Sequence, residues 1–136
     1  SEVAHARRAT ALLLEQGCDV VLALTHVSIA VDKLIADIEG INVIIGGHDH
    51  DPFLLLQNGT LIIKCGQNIE HLGVLDLDIN KDPSSGQIQV RHSFQLLCTD
   101  GEPGHPEVDA VIDRFNSDYA RHEEEPVQLS TVYEGL

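Results

Sequence analysis

The 136 residues suit one modest domain and are too few for two full ones. Apolar residues at 43% and charged residues at 22% lie near globular averages, which excludes intrinsic disorder and collagen-like repetition. Lys and Arg number 8 against 22 Asp and Glu, a net charge of −14, so a phosphate backbone is repelled and nucleic acid is excluded as a partner. No run reaches the roughly 20 apolar residues of a membrane span. Lys33 and Lys64 break the longest candidates. A small anionic ligand is acceptable only where a metal reverses the local charge.

The first element in chain order is a helix over Val3 to Gln16, with Val3, Ala6, Thr10, Leu13 and Leu14 at helical spacing and Gly17 at its C-terminal stop. Cys18 to Leu24 is a short Val- and Leu-rich run that reads as a strand covered on both faces. Thr25 and His26 end it. Ser28 is placed to cap a second helix, Ile29 to Ile38, which stops at Gly40. Asn42 to Ile45 repeats the buried-strand pattern before Gly46 and Gly47. Strand, helix, strand is a βαβ crossover, so the expected fold class is α/β with parallel strands.

After Pro52 the pattern changes. Thr60 to Cys65, Leu72 to Ile79 and Gln87 to Leu97 are strand-like runs separated by turn signals, and Asn58-Gly59 marks a hairpin. No helix fits between these runs, so they are expected to be antiparallel. Within Leu72 to Ile79, Asp76 and Asp78 are expected to face out and Leu75, Leu77 and Ile79 to face in. A last helix is predicted from Pro106 to about Glu124, with Val108, Val111, Ile112, Phe115 and Tyr119 on one face. Residues 99–136 carry 10 acidic and 2 basic side chains, so they read as a solvated connecting segment. Pro126 ends the helix, and Val127 to Val132 has the composition of a further strand.

Cys18, Cys65 and Cys98 are odd in number and widely spaced, and each lies in or beside an apolar run. They read as buried reduced thiols rather than a disulfide framework, which leans toward a cytoplasmic compartment. The chain lacks an initiating Met and opens within a helical pattern, so it reads as a piece of a longer protein. The absent signal peptide then says nothing about localisation.

The chemistry concentrates in Gly46-Gly47-His48-Asp49-His50-Asp51, directly after a buried strand. The two glycines permit a tight turn that aims the imidazoles, by positive φ or by leaving no room for a Cβ. Open α/β sheets place ligands at the carboxyl ends of their strands. His26 follows the preceding strand at the equivalent place, and adjacent strands lie about 4.8 Å apart. Converging neutral imidazoles make a transition-metal site, so His26, His48 and His50 are the candidate metal ligands. Isolated histidines such as His5, His71, His92, His105 and His122 read as surface or core residues. Nucleotide-binding glycine loops and a Gly-x-Ser-x-Gly elbow are absent from the sequence.

Asp19-Val-Val-Leu-Ala-Leu-Thr-His26 followed by Ile41-Asn-Val-Ile-Ile-Gly-Gly-His-Asp-His50 resembles the later half of a calcineurin-like metallophosphoesterase domain, nearest its 5′-nucleotidase branch. The resemblance continues through Gly59-Thr-Leu-Ile-Ile-Lys-Cys-Gly66 and Leu72-Gly-Val-Leu-Asp-Leu-Asp78. It implies a four-layer α/β/β/α sandwich with two divalent metals, Mn, Zn or Fe, at the sheet edge. His26 and His48 would ligate one metal and His50 the other. The family's Asp-x-His, Gly-Asp-x-x-Asp and Gly-Asn-His motifs do not occur here, so its bridging carboxylate and catalytic histidine have no counterpart in this sequence.

On that resemblance, residues 1–98 form the C-terminal half of the phosphoesterase domain, and residues 99–136 a connecting helix with the start of a following segment. The implied function is hydrolysis of phosphate monoesters, nucleotides above all, by metal-activated water in a longer parent, with the fragment alone inactive. Implied partners are a small phosphate ester or nucleotide, the missing N-terminal half and a C-terminal substrate domain. By the same analogy an extracellular or periplasmic location is admitted. The other reading is a regulatory or structural module that keeps the fold without catalysis.

Overall fold

The first helix, α1 (Glu2–Glu15), ends as its sequence prescribes: Gly17 donates to the Leu14 carbonyl and Cys18 to the Leu13 carbonyl, which together close a Schellman motif. The computed structural model describes residues 1–123, so the strand expected over Val127 to Val132 lies outside the described residues. After α1 come β1 (Val21–Thr25), α2 (Ile29–Ala36), β2 (Ile41–Gly46), β3 (Pro52–Gln57), β4 (Thr60–Cys65), β5 (His71–Lys81), β6 (Ile88–Cys98) and α3 (Pro106–Glu123). The chain divides into two compact units, Ser1–Asp100 and Gly101–Leu136.

The first unit is built on a four-stranded sheet of order β1-β2-β4-β3. The strands β1, β2 and β4 run parallel, and β3 runs antiparallel to β4. A second sheet is the β5–β6 hairpin. The period of two along the central strands sorts side chains between two cores. Ile44 and Ile62, both 0% exposed, join Val21, Ile35 and Ala36 on the helix side. Val43, Leu61 and Ile63 pack on the other side with Ile45, Leu75, Leu77 and Phe94. Helices, mixed sheet and hairpin sheet therefore form three layers of an α/β architecture, compatible with a fragment of the four-layer sandwich.

Several expectations need correction. The strand β4 is parallel to β2, although no helix links them. The chain passes from β2 to the outer strand β3, turns at Asn58 (φ +49°) and Gly59 (φ +86°), and returns into the gap as β4. Positive φ at both turn residues fits the tight hairpin turn of type I′. The sequence reading missed β3 as a strand, and with it this route to parallel pairing. The strand β1 is not covered on both faces: Leu22 and Leu24, on one face, are exposed, and among the described residues the strand lies at the edge of its sheet. Ser28 occupies the cap position of α2 without a side-chain capping bond. Asp76 and Asp78 face out and Leu75 and Leu77 face in as expected, but Ile79 is exposed beyond the edge of the core. Cys18 and Cys98 are exposed free thiols and Cys65 is half-buried, so the thiols are unpaired but not buried.

The second unit has α3 as its one described helix. Its residues Val108, Val111, Ile112, Phe115 and Tyr119 are exposed, and the Phe115 and Tyr119 rings stack with centroids 6.3 Å apart. No helix among the described residues is long and apolar enough to cross a membrane.

Candidate metal centre

The strands β1 and β2 end at the same level, because Thr25 and Gly46 are partners in the parallel register. The ladder runs one step further: the Gly47 N–H donates to the Thr25 carbonyl at 3.0 Å. His26 and His48 therefore leave the sheet side by side. Their rings meet nearly perpendicular, at 81°, with centroids 5.7 Å apart, and both residues are exposed.

The glycine pair works by close approach. A Cβ on Gly46 would lie 2.9 Å from Lys64 Cε and 3.0 Å from Asp32 Oδ2. A Cβ on Gly47 would lie 2.9 Å from His26 Nδ1. Neither glycine is left-handed. The positive φ belongs to His48, at +75°, and the Asp49 N–H donates back across it to the Gly47 carbonyl at 3.0 Å. That hydrogen bond over a residue of positive φ is a γ-turn of the rare, strained kind.

Beneath the turn lies a charged residue that the sequence reading passed over. Lys64 on β4 is 1% exposed. Its Nζ donates to the Val27 carbonyl at 2.6 Å, the Gly47 carbonyl at 2.7 Å and Asp49 Oδ2 at 2.5 Å. Those bonds use its three protons. Asp32 Oδ2 lies 2.8 Å away as a paired charge, while Asp32 Oδ1 accepts from the Thr25 hydroxyl. Burial alone would push the Lys64 ammonium down, but its close contacts with the Asp32 and Asp49 carboxylates and their negative charge outweigh it, and its pKa is raised above the ordinary lysine value. The Lys64 hydrogen bond also holds the Asp49 carboxyl below its ordinary range, helped by the Lys64 charge and a backbone hydrogen bond from Ile29 at the start of α2. The sequence marks its members only as a cation inside the run Leu61-Ile-Ile-Lys64-Cys and a carboxylate inside the apolar helix α2, and nothing in that pattern pairs them.

The structure thus joins two of the three predicted ligands. His50 is exposed one residue beyond Asp49, and it does not complete a set with the other two. Among the described residues no three His, Cys, Asp or Glu side chains gather to hold a metal ion. Two imidazoles side by side fit part of the shell of an ion that favours nitrogen donors, and they leave the rest to other ligands.

No protein-family model matches the chain. The chain is similar to a 5′-nucleotidase of Diplobatis ommata, 25% identical over 143 residues that cover 90% of this chain and 24% of that protein. It spans about a quarter of the length of that relative. The likeness gives the chain a distant 5′-nucleotidase-like relationship.

Proposed function

We propose that the chain is part of a metal-dependent phosphoesterase that hydrolyses phosphate monoesters, with nucleotides as its substrate class. The supporting observation is the His26–His48 pair, seated at the carboxyl ends of adjacent parallel strands over a glycine that leaves no room for a side chain. His26 and His48 are two ligands of one divalent ion in this reading, and His50, by family resemblance alone, serves a second. Zn and Fe suit imidazole donors better than Mg or Ca. A bound divalent ion would supply Lewis-acid polarisation of phosphoryl oxygens and lower the pKa of its water. The chain's own part is to present the imidazoles at fixed separation and keep their outer faces open to solvent.

Calorimetric titration with Zn or Mn is expected to show binding that the His26→Ala, His48→Ala double variant loses. Equal binding by the double variant would move the site elsewhere. Turnover of AMP or an aryl phosphate is expected from a longer parent and not from residues 1–136.

A second reading, a module that keeps the fold without catalysis, is favoured by the lack of a third donor among the described residues. It calls for metal binding without turnover in the longer protein, and the same assay separates the two.

A further inference from the structure

Lys64 stands where a charge has no ordinary place, buried on the inner strand β4 in register with Gly46, the last residue of β2. Gly46 makes the room, since any Cβ there would meet the lysine stem at 2.9 Å. A buried ammonium needs several hydrogen-bond partners to offset its desolvation. The partners chosen here are informative. The Val27 carbonyl belongs to the loop after β1, one residue past His26. The Gly47 carbonyl and the Asp49 carboxylate belong to the loop after β2 and stand on either side of His48. One ammonium therefore ties the two loops together and grips both residues that flank the strained γ-turn. Strained backbone persists only where its surroundings over-determine it, and an apolar side chain in place of Lys64 would leave all three acceptors without this donor.

We infer that Lys64 is a positioning residue, whose ammonium locks the loop after β1 to the loop after β2 so that the His26 and His48 rings meet edge to face. What the locked pair binds rests on the metal reading above; the locking itself does not.

The test uses the full chain with nitrogen-labelled histidine. Lys64→Met combined with Asp32→Asn removes both fully buried charges, so the only carboxylate left without its cation is the half-buried Asp49. This variant is expected to keep a cooperative thermal transition, lose the nuclear Overhauser contacts between the two rings and bind Zn about 10- to 100-fold more weakly. A folded double variant with ring contacts and Zn affinity like the parent's would overturn the inference. If the double variant does not fold, Asp49→Asn decides. It keeps Lys64 and Asp32 and weakens one grip on the turn, and unchanged ring contacts would again overturn the inference. Ring contacts in the parent chain without any Zn binding would reject the metal reading, and the contacts alone would then decide the role of Lys64.

Discussion

Two lysine–aspartate pairs of the same length, 2.8 Å, have opposite surroundings. Lys64 and Asp32 expose 0% of either side chain, whereas Lys81 and Asp19 expose 55% and 49%. The Lys81 pair works against water, which screens it and competes for both ends, so it adds little. The Lys64 pair has no water to return to, and each member makes the other tolerable. Equal distances thus conceal unequal consequences, and the buried lysine bonds residues that adjoin both histidines.

Lys64→Met alone should show the largest effect. It leaves Asp32 buried without its counter-charge, a loss of about 3–5 kcal/mol of stability by chemical denaturation. A loss no larger than that of an exposed pair would mean that water reaches Asp32. Gly47→Val comes next, at about 1–3 kcal/mol, because the new side chain must displace the His26 ring. It should also abolish ring contacts and metal affinity. Gly86→Val provides the contrast: Gly86 has open space around it but φ +71°, so valine costs about 1–2 kcal/mol through backbone strain alone. Its histidine pair should be untouched. Lys81→Met should cost under about 1 kcal/mol and leave Zn binding unchanged.

The smallest effect concerns the turn between β5 and β6. There Asp82 accepts from the Ser84 hydroxyl and from the Ser84 and Ser85 amides, which hold its carboxyl at about 2 instead of 3.8. A lowered folded value means that these bonds contribute stability above the ordinary aspartate range, and the contribution is lost as pH falls through about 2. The Asp82 carboxyl carbon signal should titrate with that low midpoint. A midpoint of 3.8 would show that the turn does not hold its carboxylate.

Much of this was legible from the residues. Apolar runs with turn signals located β1, β2 and the β5–β6 hairpin, because burial on a pleated strand leaves a short-range pattern. His26 and His48 were legible as a pair because parallel register brings strand ends together across a long stretch of chain. The partner of β4 was not, since a hairpin inserted between parallel neighbours leaves no helical signal. Lys64 was hidden for a different reason. Lysine is so often solvated that only its tertiary partners, drawn from α2 and two loops, reveal it as buried. Of the two ways the glycine pair could act, the structure shows close approach and places the positive φ at His48; turn propensity cannot distinguish a need for conformational freedom from a need for space.

The outer side of β1 carries a colloidal consequence. Among the described residues β1 pairs only with β2, so its other edge presents free backbone donors and acceptors beside Leu22 and Leu24, the latter 86% exposed. Such an edge is a template for any extended strand, including that of a second copy. Long-range repulsion from a net charge of −14 opposes such pairing at low ionic strength, and added salt screens that protection. Concentrated, salty solutions of the chain should therefore self-associate edge to edge, and a lysine in place of Leu24 would be the simplest remedy.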